Sequence, residues 1–317
     1  MIASVARRLG VFALSLLAAS VAIFFVCQAL PGDPARILLG DGATPEQIAA
    51  KAHELGTDRP WAIRYVTWLA GMLRGDFGTS YASGVSVTSL IAPTLPVTAW
   101  LAVFSLSLAI LIAVPFGMLA ALKRRHWQGL VVSGAAQLGM AIPAFWAGIL
   151  LSIAFGVALR WLPPNGYVPL TTDPIGWARS LVLPVVSLAL VQAAVLIRYV
   201  RSAFIEVLSE DYYRTARAIG WTQGRAMVRH GLRNASLSLV TVLGLQLASI
   251  LVGAIVIEQV FVLPGLGSLL LNYVRQKDVM VIQGVVMLLV LAVLAINALV
   301  EISYVLIDPR LKPASQR

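Results

Sequence analysis

Apolar residues fall into six long runs along the chain, at approximately 9–30, 97–122, 130–158, 181–197, 236–262 and 279–307. The first four carry no charged side chain, the fifth only Glu258 and the sixth only Glu301. At ~1.5 Å per residue, runs of about this length cross a hydrocarbon layer of ~30 Å as helices. Lipid offers no partner to backbone N–H and C=O groups, so each run must satisfy its own by coiling. The pattern predicts an all-α integral membrane protein with six transmembrane helices. Pro115, Pro143 and Pro184 each remove one backbone hydrogen bond inside a span, and they act there as kinks or as packing features.

Two polar insertions interrupt the runs. In 31–96, Thr44-Pro-Glu-Gln47 supplies an N-cap, a proline at the first helical position and a capping-box glutamine, and Gly56 supplies a stop, so a helix is expected over 45–55. From Pro60, residues Trp61, Tyr65, Trp68, Leu69 and Met72 share one helical face until Gly75-Asp-Phe-Gly78 breaks the pattern. That aromatic stripe reads as an interfacial belt, as local packing or as a docking face. In 198–235, Phe204, Leu208, Tyr212, Ala216 and Ile219 recur at helical spacing, with Glu206, Ser209, Glu210, Arg214 and Arg217 filling the other face. Gly220 ends this amphipathic helix where a left-handed residue costs least. Thr222 caps a second helix carrying Met227, Val228 and Leu232 among Arg225, Arg229 and Arg233. By pattern alone, a basic amphipathic segment beside a membrane either lies on anionic lipid or contacts a protein.

Composition supports the membrane class, since 59% of the 317 residues are apolar and 12% charged, against about 45–50% and 25% in soluble domains. The net charge of +10 reports loop orientation more readily than nucleic acid in such a chain. Segments 1–8, 123–129, 198–235 and 308–317 hold 15 Lys and Arg in 63 positions, whereas 31–96, 159–180 and 263–278 hold nine in 104. Positive loops stay inside, so both termini are expected to be cytoplasmic. Arg7 and Arg8 precede the first run as in a signal peptide, but the run is long and has no evident cleavage signal, so it reads as a retained anchor.

Several chemistries lack their residues. None of the four lysines follows a glycine, so there is no phosphate-binding Gly-Lys-Ser/Thr loop, and energy from ATP has to come from a partner. His53, His126 and His230 never pair at zinc spacing, and the single Cys27 forbids an intrachain disulfide. Ser80 has no nucleophile elbow. Neither an enzyme nor a metal centre is expected, and the chain itself binds no cofactor. The spans contain sparse polarity. Glu258 costs roughly 2.5–3.5 kcal/mol on insertion scales unless it is protonated, paired or facing a wet cavity. Gln137, Gln192 and Gln246 either bond between helices or line a polar path.

The loop Glu206-Val-Leu-Ser-Glu-Asp-Tyr-Tyr-Arg-Thr-Ala-Arg-Ala-Ile-Gly220, followed by Arg229-His-Gly-Leu-Arg-Asn234, resembles the EAA loop of binding-protein-dependent ABC importer permeases. More narrowly, it resembles that of the B-type subunit of the dipeptide, oligopeptide and nickel group. Further matches are Pro31-Gly-Asp-Pro34, Leu55-Gly-Thr-Asp-Arg-Pro60, Gly75-Asp-Phe-Gly78 with Ser80, Ile142-Pro-Ala-Phe145, Trp161-Leu-Pro-Pro-Asn-Gly166, Glu258-Gln-Val-Phe261 with Pro264-Gly-Leu-Gly267, and Asp308-Pro-Arg310. Aligned on Gly220, Arg214 and Thr215 stand where the general motif has Glu and its first Ala, and Arg233 stands where Pro is frequent. The peptide group commonly shows such departures.

The resemblance implies the type-I importer permease fold, in the cell (plasma or inner) membrane. Residues 1–93 would be an anchor plus an extracytoplasmic loop, 94–307 the permease domain and 308–317 a cytoplasmic tail. It implies a second, C-type permease subunit, two ATP-binding subunits that use ATP and Mg, and an extracytoplasmic solute-binding protein. Glu210, Asp211, Tyr212, Arg214, Thr215, Ala216, Arg217, Gly220, Arg229, His230, Leu232 and Asn234 would form the ATPase-coupling loop. Solute would move by alternating access, with Glu258, Gln246, Gln192 and Gln137 as candidates for the pathway. Dipeptides or oligopeptides are the expected solutes, with nickel, glutathione, opines or plant-derived sugars as alternatives. A stand-alone secondary transporter and a membrane scaffold are the readings from other classes.

Overall fold

A computed structural model describes residues 2–29, 34–40 and 42–307. Among these, helix is the regular secondary structure, joined by turns and loops, apart from one isolated bridge between Thr79 and Ser86. In order the helices are α1 (Ile2–Gln28), α2 (Pro34–Leu39), α3 (Pro45–Leu55), α4 (Trp61–Leu73), α5 (Val87–Leu122), α6 (Trp127–Ala141), α7 (Ala144–Leu151), α8 (Pro174–Ser209), α9 (Asp211–Ala218), α10 (Gln223–Ala226), α11 (Leu232–Phe261), α12 (Leu266–Arg275) and α13 (Val279–Ile307). Two wider π turns, Ser152–Ala158 and Met227–Gly231, follow α7 and α10.

Five helices are long and apolar enough to cross a membrane, within α1, α5, α8, α11 and α13, and a sixth crossing needs α6 and α7 to be counted together. The run 130–158 is therefore broken in two, and of the two roles expected for Pro143 the kink is the one found. It bends by 98° between its halves, because Pro143 has no N–H to donate and crowds Ile142 out of the helical region, to φ −87° and ψ 119°. Pro115 and Pro184, by contrast, lie inside unbroken helices. Helix α8 extends well beyond the expected span 181–197, and α5 begins ten residues before 97.

The chain divides into two compact units. The first is Met1–Thr98 with Pro264–Ala295. Within it the capping box of α3 is formed: Gln47 N–H donates to Thr44 Oγ1 at 3.4 Å, Thr44 N–H donates to Gln47 Oε1 at 2.9 Å, and Gly56 closes the helix at φ +68°. The aromatic stripe of α4 packs locally on α1. Tyr65 and Trp68 meet Phe24 at ring separations of 5.4 and 5.9 Å, Tyr65 Oη bonds Ser20 Oγ at 2.8 Å, and Trp61 meets Phe25. A second cluster joins Val87, Ile91, Leu266, Val281 and Val285.

The second unit is Ala99–Leu263 with Ile296–Arg317. Helix α8 is its hub, with 67% of its apolar window buried against 39% or less in the other long helices. Small residues let neighbours close onto it. A Cβ on Gly117 of α5 would lie 2.6 Å from Val200 of α8, and one on Gly139 of α6 would lie 2.9 Å from Ala194. That is how helices associate where lipid removes the usual hydrophobic drive.

Candidate functional site

Helix α8 stops at Ser209, whose hydroxyl donates back to Glu206 O at 2.6 Å, and Glu210 turns extended at ψ 145°. Serine bonding of this kind competes with the helical ladder. The amphipathic helix expected over 204–219 is thus two helices, and the break resets its register. Phe204 and Ala216 are buried as expected, but Val207 and Tyr213 are buried beside them. Tyr212 is half-buried, and Ile219 is 71% exposed. The inward face of α9 joins Val200, Ala203, Phe204, Val207, Ala226 and Met227 in one cluster. Tyr213 also donates its hydroxyl to Gln223 O at 3.5 Å, and burial pushes its phenol above the usual range, opposed by the Arg217 charge.

The outward face of α9 is left polar and basic, with Asp211, Arg214, Thr215 and Arg217 all exposed. Asp211 in the first turn and Arg217 in the last complement the helix dipole. The Asp211–Arg214 pair at 3.5 Å is solvent-exposed on both sides and contributes little.

The helix ends in a Schellman motif. Trp221 N–H reaches Ala216 O, Gly220 N–H reaches Arg217 O, both at 3.2 Å, and Gly220 takes φ +97°. The Arg217 guanidinium donates to Trp221 O and braces the turn. No atom lies within 4 Å of a Cβ built on Gly220, so the glycine is required by its dihedral and by nothing packed against it. After the corner, Thr222 Oγ1 accepts the Arg225 N–H at 3.4 Å and α10 begins, as expected. Arg229 is exposed. The side chains of His230, Leu232 and Asn234 lie outside the described residues, as do Pro31-Gly-Asp33 and Asp308-Pro-Arg310.

The four polar residues expected along a pathway do not form one site. Gln192 of α8 is 6% exposed and donates from Nε2 to Ser249 Oγ on α11 at 3.4 Å. Gln246, one turn away on α11, is buried with its Nε2 unpaired among the described residues. Glu258 is fully buried, but it stands 12 residues further along α11, about 18 Å at the helical rise. Gln137 is exposed on α6. Just beyond Glu258, Val262 caps α11 at φ 55° and ψ 47°, a left-handed conformation rarely adopted by a β-branched residue. It lets Leu263 N–H bond Glu258 O at 2.8 Å.

A buried polar cluster in the first unit escaped the periodicity reading. Asp278 Oδ2 accepts Ser80 Oγ at 2.7 Å and Ala82 N–H at 2.9 Å, while its Oδ1 accepts Val281 N–H at 3.3 Å. Asp278 and Ser80 are each 2% exposed although 198 positions apart. The available signal was an acid one residue ahead of a long apolar run, which is an N-cap pattern.

Two family models match. The one described as binding-protein-dependent transport system inner membrane component covers residues 113–313, and the N-terminal membrane component of the same systems covers 1–102. A protein described as a peptide transport system permease of Brucella suis is 40% identical over 295 residues, covering 93% of this chain and 94% of its own. A glutathione transport system permease protein of Salmonella choleraesuis is 39% identical over 306 residues, covering 96% and 97%. The structure of the MetNI methionine ABC transporter in an inward-facing conformation aligns at a TM-score of 0.58 and 19% identity, over 69% of this chain and 96% of that one. It shares the fold. The chain belongs to the binding-protein-dependent transport system inner membrane component family, the multi-pass inner-membrane permease subunits of importers, which are not themselves enzymes.

Proposed function

We propose that this permease carries short peptides inward by alternating access, and that ATPase subunits drive it through the corner between α9 and α10. The observation that carries the reading is the two-faced α9. Its Tyr213 and Ala216 are anchored in the cluster on α8, while Asp211, Arg214, Thr215 and Arg217 are turned outward beside an exposed Ile219. A short helix rooted in the most deeply buried of the long helices, with a polar face and one exposed apolar residue, suits a groove on a partner. Any push on it reaches α8 as a rigid-body movement. Arg229, His230, Leu232 and Asn234 complete the coupling loop in this reading.

The supporting scheme has six spans with α6 and α7 counted as one, both termini cytoplasmic, an N-terminal part to about 93 and a permease domain over 94–307. A second permease subunit, two ATP-binding subunits and an extracytoplasmic binding protein complete the assembly, and ATP with Mg is used by the ATPases. Glutathione is itself a tripeptide, so both relatives favour short peptides. The buried Gln192–Ser249 contact and Glu258 are the polar groups that rearrangement of α8 against α11 would expose.

Ala218→Cys tests the docking. Position 218 is exposed on α9, and the natural Cys27 is buried. In membranes holding the whole assembly, a short bifunctional thiol–amine reagent is expected to join this variant to an ATP-binding subunit. Cross-links to lipid alone, with the assembly intact, would contradict the proposal.

A further inference from the structure

The corner between α5 and α6 lies in the second unit and takes no part in the coupling loop or in the polar contact between α8 and α11. Lys123, Arg124 and Arg125 follow directly on the last residue of α5, and Trp127 opens α6. The turn is tight, since His126 N–H donates to Lys123 O at 2.8 Å and Gly129 N–H to His126 O at 3.1 Å. A Cβ on Gly129 would run into the Lys123 carbonyl, so the first turn of α6 closes directly onto the end of α5 and keeps the three cations within one short bend. All three are exposed, and none takes an ion pair or a side-chain hydrogen bond among the described residues. No acidic residue occurs in the sequence between Asp76 and Asp173. The cations of 198–235 are by contrast partly engaged, Arg214 by Asp211, Arg217 by Trp221 O, and Arg198 over the Tyr199 ring at 5.0 Å.

An apolar stripe leads away from the cations along α6. Trp127 is 71% exposed, and Leu130, Val131 and Leu138 are exposed on the same helical face. From Trp127 to Leu138 the helix rises ~16 Å, about half of a ~30 Å hydrocarbon layer. The opposite face is taken up by protein, with Gly129 against the end of α5, Ala136 buried, and Gly139 closed onto Ala194 of α8.

We propose that this corner holds an anionic phospholipid, its phosphate among Lys123, Arg124 and Arg125, its glycerol level with the Trp127 indole, and an acyl chain along Leu130, Val131 and Leu138. Basic clusters at the end of a span attract anionic headgroups, and tryptophan settles at the headgroup level. An acidic peptide would meet the cations and leave the stripe bare, and a neutral lipid would cover the stripe and leave the cations unmet. One anionic lipid serves both. The proposal needs only that the chain resides in a membrane, and it depends neither on the solute nor on how ATPases dock.

The test is quenching of Trp127 fluorescence, in phosphatidylcholine vesicles that hold the full chain, by phospholipid brominated on its acyl chains. The signal of Trp127 is the difference between each protein and its Trp127→Phe counterpart, a change at an exposed position. A small fraction of brominated phosphatidylglycerol is expected to quench it more than the same fraction of brominated phosphatidylcholine. Replacing Lys123, Arg124 and Arg125 together by Gln should weaken the hold on phosphatidylglycerol about a hundredfold, read from the fraction that gives half-quenching. Arg124→Gln alone should weaken it about fivefold and leave insertion intact, and Lys123→Arg should keep it. Equal quenching by the two lipids, no quenching by either, or a preference unchanged in both charge variants would overturn the proposal. So would loss of the quenching once the partner subunits are reconstituted with the chain, which would assign the face to one of them.

Discussion

Replacing Gly220 by Trp is expected to drop ATP-coupled uptake to background while the protein stays in the membrane at its normal level. The corner needs φ +97°, and for an L-residue with a side chain the left-handed region costs roughly 1–2 kcal/mol. That cost is too small to unfold a membrane bundle, and the space around the missing Cβ is open, so the core beneath is untouched. What changes is the turn. Without it, Trp221 N–H and Gly220 N–H lose the carbonyls of Ala216 and Arg217, and α9 no longer presents Ile219 and Arg217 at a fixed angle. A bulky indole at the exposed tip also obstructs any groove that receives it. Gly220→Asn separates the two effects, since asparagine tolerates this dihedral better than other residues and should retain most of the uptake. Full transport by the Trp variant would remove the corner from the mechanism.

Asp278→Ala is expected to destabilise the first unit by about 3 kcal/mol. The carboxylate collects the Ser80 hydroxyl, the Ala82 N–H and the Val281 N–H. Truncation leaves the first two donors without an acceptor and uncaps α13. Asp278→Asn keeps one oxygen and should lose about half as much. The readout is the thermal midpoint together with protease cleavage in 79–86, the stretch that the carboxylate ties down. Ser80→Ala removes the hydroxyl that Asp278 accepts together with the acceptor of the Ser83 N–H and hydroxyl, so it too should lower the midpoint and open 79–86 to protease. An Asp278→Ala protein as stable and as protease-resistant as the parent would show that the loop is held by something else.

What was legible in the chain follows from the range of the forces involved. The capping box at Thr44 and Gln47, the stop at Gly56, the turn at Gly220 and the cap at Thr222 are local backbone chemistry, and each stands where its residues predict. The apolar runs marked the spans because transfer into lipid is additive along a helix. The ends of the runs were less informative. Helix α8 runs on through Arg198 and Arg201 to Ser209, because a helix does not have to stop where the hydrocarbon does. The break at Glu210 depends on a serine hydroxyl choosing a carbonyl one turn back, which periodicity does not register, and so the inward face of α9 was set one residue off, at Tyr212 in place of Tyr213. The bend at Pro143 differs from the smooth passage at Pro184 because Ile142 leaves the helical region ahead of it. The Ser80–Asp278 contact joins residues 198 positions apart, and no window of sequence contains both partners.

The most direct measurement is the depletion of a defined mixture of short peptides, nickel salts and sugars from the medium, followed by mass spectrometry, with cells that carry this chain compared with cells that lack it. Short peptides should disappear only where the chain is present and its ATPase partners can hydrolyse ATP. Equal depletion of peptides by both kinds of cell, with another solute spared only where the chain is missing, would contradict a peptide importer.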